Sequence, residues 1–237
     1  MKETIEGLIR EKTHELGTFQ VPENKLIVTD PCYEFESDFQ VVLKNATTGT
    51  WRALIFAGLF KRDIEFTRRR IKEFEAVNAM YADIFAQYNL SMGSDVFTSQ
   101  IKEIKERNLY RNMLLMAVHE SVTESIPDPT NWEFVKCASV DSGQMSISCI
   151  TSWRVREKAL DYEGEETPSK DLPGYMERGD SGPYWEIGDI TLNEKKSFGI
   201  YDERAAVCLT AYGDGGYPVY VKKLDKKIVG VAINFIC

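Results

Sequence analysis

Histidine is nearly absent from this chain. It has two, His14 and His119, in 237 residues. A structural zinc site draws on Cys and His at short spacings. The five cysteines, Cys32, Cys137, Cys149, Cys208 and Cys237, include no Cys-x-x-Cys pair, so such a site is disfavoured. Their odd number and wide spacing make no disulfide framework, and reduced thiols in a cytoplasm are expected. No apolar run reaches the roughly 18–20 residues of a membrane helix. The N-terminal segment 1–16 is charged throughout, unlike a secretory signal. Cations are in the minority, with 29 Lys and Arg against 37 Asp and Glu, a formal charge of -8. A general nucleic-acid binder needs the reverse balance. No P-loop and no Rossmann glycine fingerprint occurs.

What is present suffices for a packed core: 43% hydrophobic and 11% aromatic residues. Ile5, Leu8 and Ile9 predict a short amphipathic helix over 1–16, stopped by Gly17. Strands are expected at Lys25–Thr29, Phe39–Leu43, Trp51–Ala57, Glu133–Val140 and Met145–Ser152. A closing meander is expected from Ala205–Ala211, Tyr217–Lys222 and Ile228–Ile236. Helical spacing of Ile64, Ile71, Phe74, Tyr81, Phe85 and Tyr88 predicts a helix over 62–90. Ile101, Ile104, Leu109, Met113 and Met116 predict a second over 99–119. The fold class expected is α+β: an antiparallel β-meander or sandwich-like core in one domain. An α-hairpin is inserted over 62–120, and a loop-rich insertion covers 157–200. Arg68-Arg69-Arg70 is the densest basic spot, read as a solvated helix face.

The segment Gly179-Asp180-Ser181-Gly182-Pro183 resembles the nucleophile loop of trypsin-like serine proteases. That chemistry needs a His base oriented by an Asp. His119, on a predicted helix, lacks the flanking residues for that role, so a turn is the better account. Cys32 has no base to activate it, and Glu133 and Glu186 have no context that marks them as acids. No catalytic constellation emerges.

Three segments share another pattern: Thr29-Asp30-Pro31-Cys32-Tyr33, Val140-Asp141-Ser142-Gly143-Gln144, and Gly213-Asp214-Gly215-Gly216-Tyr217-Pro218. Each places an Asp at or just past a strand end, where Asp-Pro, Asp-Ser-Gly and Asp-Gly are turn formers in their own right. Brought to one edge, the carboxylates of Asp30, Asp141 and Asp214 have three uses. They can coordinate a hard cation, split their pKa values as an acid/base pair, or accept hydrogen bonds from a ligand. Tyr33, Tyr217 and Trp51 would then offer a stacking wall.

In that order, the motifs resemble a group of uncharacterised proteins common in bacteriophage genomes. They are also similar to the bacterial family labelled domain of unknown function four-two-four-one, most clearly over Ala211–Phe235. The resemblance covers residues 25–58, 133–150 and 203–236. The Trp-Cys pair expected after the first motif is missing, with Ser37–Gln40 in its place. The resemblance implies a small β-rich fold, a phage or mobile-element origin, hence a host cytoplasm, and a joint role for Asp30, Asp141, Gln144, Asp214 and Tyr217; with Tyr33 and Ser142 of the same motifs these are the candidate ligand-binding residues. It supplies no activity.

The leading expectation is a non-catalytic binding protein that holds a small nucleotide-like molecule or a host protein at these turns. One alternative is a metal-assisted hydrolase with Asp30, Asp141 and Asp214 as ligands. Another is an assembly protein whose β edges pair with copies of itself. Membrane and nucleic-acid partners are not expected. No motif indicates a cofactor, a metal or an oligomeric state.

Overall fold

The computed structural model describes residues 8–33, 38–66, 68–69, 72–73, 76, 110–149, 184–192 and 196–236. The chain divides into two compact units. One comprises Lys12–Ala57 and Asn112–Cys237 with Met1, the other Lys2–Glu11 and Gly58–Arg111.

Eleven strands carry the described part: β1 (Leu8–Val21), β2 (Lys25–Thr29), β3 (Val41–Lys44), β4 (Gly49–Phe60), β5 (Tyr110–His119), β6 (Glu133–Val140), β7 (Gln144–Cys149), β8 (Phe198–Tyr201), β9 (Ala205–Leu209), β10 (Gly215–Leu224) and β11 (Lys227–Asn234). They form a six-stranded sheet ordered β1-β4-β5-β11-β10-β6 and a five-stranded sheet ordered β3-β2-β7-β9-β8. The pairings described residue by residue are antiparallel.

Side-chain alternation makes the first unit a sandwich. Leu26, Val28, Met145, Ile147, Ala206 and Cys208 of the smaller sheet share one buried cluster with Phe19, Trp51, Ile55, Leu115, Val219 and Ile233 of the larger. These are the residues of one face, spaced two apart along each strand. The outer faces are covered too. Leu114, Met116 and Val118 of β5 point away from the sandwich core and are buried with Val122 and Trp132. Arg52 fastens this covering segment, donating to the carbonyls of Ser125 and Glu124 at 2.9 Å each. On the smaller sheet, the helix Tyr184–Thr191 buries Ile187 against Tyr201, Ala205 and Val207.

The antiparallel two-sheet core is as expected, and β2 and β6 have the predicted bounds. Other expectations are corrected. Residues 8–16, expected in a helix, lie in β1, so His14 is on a strand, and Gly17 (φ +125°) lies within that strand instead of ending a helix. Residues 110–119 are likewise a strand, buried on both faces, and His119 ends it. The second arm of the α-hairpin expected over 62–120 therefore does not run to 119. In the second unit residues 61–66 are helical, as are 68–69, and the remainder of the first arm is described only in part. Residues 77–109 lie outside the described residues. Arg69 pairs with Glu73 at 3.8 Å, an exposed ion pair worth little, and Arg70 is outside the described set. Within 157–200, expected to be loop, Tyr184–Thr191 is helical and Phe198–Tyr201 a strand. Gly179–Pro183 is outside the described residues.

β6, at one end of the larger sheet, is irregular. Its register with β10 slips between Val219, opposite Lys136, and Tyr220, opposite Phe134. Val135 is the extra residue of a β-bulge. Lys136 stands opposite Val219, a residue of the sandwich core.

Candidate functional site

The three Asp motifs meet at one edge of the sandwich, and Asp30 joins the first to the second. It follows the last residue of β2, where Pro31 ends the strand, and it is fully buried. A buried carboxylate is costly unless its lone pairs are used. Here Oδ1 accepts from the Cys32 amide at 2.9 Å and the Ser142 hydroxyl at 2.5 Å. Oδ2 accepts from the amides of Asp141 at 2.8 Å and Ser142 at 2.7 Å. Four donors fill the roughly four lone-pair positions of a carboxylate. Asp30 closes the β6–β7 turn onto the end of β2 and has no oxygen left for a cation or a substrate proton.

The third motif packs on the second. A Cβ on Gly143 would lie 3.7 Å from the Gly213 Cα. The Gly143 carbonyl accepts from the Thr210 amide at 2.9 Å. The Gly213 carbonyl accepts from the Thr210 hydroxyl at 2.7 Å and from the Tyr217 hydroxyl at 2.8 Å. Gly143 and Gly213 adopt φ of +73° and +82°, the left-handed region where glycine is favoured. Gly215 and Gly216 stand opposite Val140 and Ser139, which carries the β10 strand away from the turn.

The predicted site residues divide into two groups. Asp141 and Asp214 are exposed, and Tyr33 is half-buried. Ser142 bridges to Asp30. Tyr217 and Trp51 do not form a wall: Tyr217 is buried edge-on to Phe235, and Trp51 is buried in the core with its indole N–H on the Thr47 carbonyl. Gln144 faces the opposite side of its sheet, where its Oε1 lies 3.0 Å from the Thr191 hydroxyl of the helix. It holds that helix and is not part of the edge. Glu186 accepts from the Tyr201 hydroxyl, and Glu133 pairs with Lys223 at 2.8 Å. Neither is placed as a catalytic acid.

Cys32 is no nucleophile. Burial, then the Asp30 carboxylate beside it, pushes its thiol up to about 12, so the thiolate is scarce at neutral pH. Burial, followed by the charges of Asp30, Cys32, Asp141 and Asp214, raises the Tyr33 phenol. All three motif carboxylates therefore act on one ring. His119 is structural: its Nδ1 accepts from the Ser121 amide at 3.1 Å, which leaves Nε2–H to donate to the Thr48 carbonyl at 3.1 Å.

Phe39 is the residue that sequence reasoning did not pick for this edge. It stacks on Tyr33 with centroids 5.3 Å apart and planes 33° off parallel. It remains 54% exposed, and its carbonyl accepts from the Ser139 amide of β6. The sequence places it in a strand over Phe39–Leu43, which in fact starts at Val41. Among the described residues, no group of three or more His, Cys, Asp or Glu side chains is placed to hold a metal ion. No helix among them is long and apolar enough to cross a membrane. No family model, no curated protein and no solved structure matches the chain.

Proposed function

We propose that this protein is a non-catalytic binding protein whose recognition surface is the rim built by the three Asp motifs. The observation that carries this reading is the division of labour among the carboxylates. Asp30 is buried and saturated and locks the first two turns together, and the third is packed on them through Gly143, Gly213 and Thr210. Asp141 and Asp214 stay exposed on those locked turns, beside the Tyr33–Phe39 pair. Fixing the loops before binding lowers the ordering cost that a ligand must offset. Exposed carboxylates beside an aromatic face suit a partner that offers hydrogen-bond donors and a flat or apolar group. The saturation of Asp30 favours this reading over the metal-assisted one, which needs Asp30 as a ligand. The phage origin that the motifs imply makes a host component the natural partner, by analogy alone.

The test is isothermal titration of the purified protein against nucleotides, amino acids and short peptides, repeated on the Asp141→Asn, Asp214→Asn double variant. Binding that the double variant weakens supports the rim. A panel in which nothing binds, or in which the double variant binds as well as the parent, overturns it.

A further inference from the structure

We propose that the rim takes an arginine-bearing segment of a partner protein, with the guanidinium on the exposed Phe39–Tyr33 pair and between the carboxylates of Asp141 and Asp214. This rests on the reading of the rim as the recognition surface and names its partner.

Three observations point the same way. First, the aromatic pair is exposed on its Phe39 side, and the negative face of an aromatic ring attracts a cation. Second, the surrounding charge is negative. Asp38, Asp141 and Asp214 are exposed, and the Lys136 ammonium is held on the Asp38 carbonyl at 2.9 Å. In a chain of formal charge -8, that field attracts cations and repels phosphate. Third, Phe39 is anchored to β6, whose residues Glu133–Cys137 are exposed along their length. Among the described residues no strand pairs with the outer edge of β6 over Glu133–Cys137, which leaves room for a length of chain. Arginine fits better than lysine, because its planar, weakly hydrated guanidinium both stacks on rings and forks onto carboxylates.

The experiment is fluorescence anisotropy of a short labelled peptide alternating Gly and Arg, with Lys and Glu counterparts and a labelled ATP analogue as comparators. Binding is expected in the order Arg, then Lys, with none for Glu. Phe39→Ala and Asp214→Asn should each weaken the Arg peptide by about threefold to tenfold. Both side chains are exposed, so neither variant threatens the fold. Rising salt should weaken binding further. Arg binding that neither variant changes would overturn the assignment. So would an ATP analogue that binds at the rim, lost on Phe39→Ala, with the Arg peptide inert; that result would leave the rim as the recognition surface. If no ligand binds there at all, the rim reading and its partner fall together.

Discussion

Ser142 gives Asp30 two hydrogen bonds at once, its amide to Oδ2 at 2.7 Å and its hydroxyl to Oδ1 at 2.5 Å, across 112 positions of sequence. The first and second motifs are thus one piece of structure, and the third is packed on it through Gly143 and Gly213. The consequences can be measured.

Asp30→Asn keeps the shape but turns one oxygen into a donor that faces other donors. Asp30→Ala leaves the Cys32, Asp141 and Ser142 amides without their acceptor. Either is expected to lower unfolding free energy by about 3–5 kcal/mol, read by urea unfolding. Ser142→Ala removes only the hydroxyl and should cost about 1–2 kcal/mol. A loss below about 1 kcal/mol for Asp30→Asn would show that the carboxylate does not hold the turns together.

Asp141→Asn and Asp214→Asn should behave oppositely. Both side chains are exposed, so stability should change by less than about 0.5 kcal/mol while ligand affinity falls. A large stability loss in either would place that carboxylate in the structure and not in recognition.

Gly230 lies under Trp132. A Cβ there would meet Trp132 Cη2 at 2.7 Å and Lys222 Cβ at 3.0 Å. Gly230→Ala is expected to destabilise by about 1–3 kcal/mol and to shift tryptophan fluorescence as the indole is displaced. With Trp132→Leu the double variant should lose less than the sum of the two, because the clash is gone. Strict additivity would mean the two residues do not compete for space.

The raised Cys32 thiol sets a pH dependence at the alkaline end. The folded state keeps the proton to about 12, whereas an ordinary thiol releases it near 9.0. Between these values the folded chain binds more protons than the unfolded one, so stability falls as pH rises. Cys32→Ala should flatten that part of the stability–pH curve, measured by denaturant unfolding from pH 8 to 11. At pH 8, thiol reagents should label exposed Cys137 well before Cys32. Equal labelling rates would contradict the burial of Cys32.

Sequence reading succeeded where local chemistry decides. Lys25–Thr29 is a short apolar run that ends at Asp-Pro. Glu133–Val140 ends at Asp-Ser-Gly. Sequence reading failed where a strand is buried on both faces. Met113-Leu114-Leu115-Met116 is an unbroken apolar run of helix formers, and periodicity does not separate that from a helix. β1 was misread because a charged strand with a glycine inside it carries no clear alternation. For the site, the motifs named the right turns, but three of the four donors to Asp30 come from Asp141 and Ser142, more than a hundred residues away. Gln144 belongs to the motif in sequence and to the opposite face in space, because each step along a strand reverses the side chain.

The bulge at Val135 has a consequence for how the chain behaves at high concentration. An unpaired outer strand is a template on which further chains can stack into fibrils. β6 carries apolar Phe134 and Val135 and would serve as such a template if it were flat. A stacked neighbour would have to iron out the kink and strip water from the Lys136 ammonium. That barrier to templated aggregation keeps the exposed, partly apolar residues Glu133–Cys137 from becoming a seed.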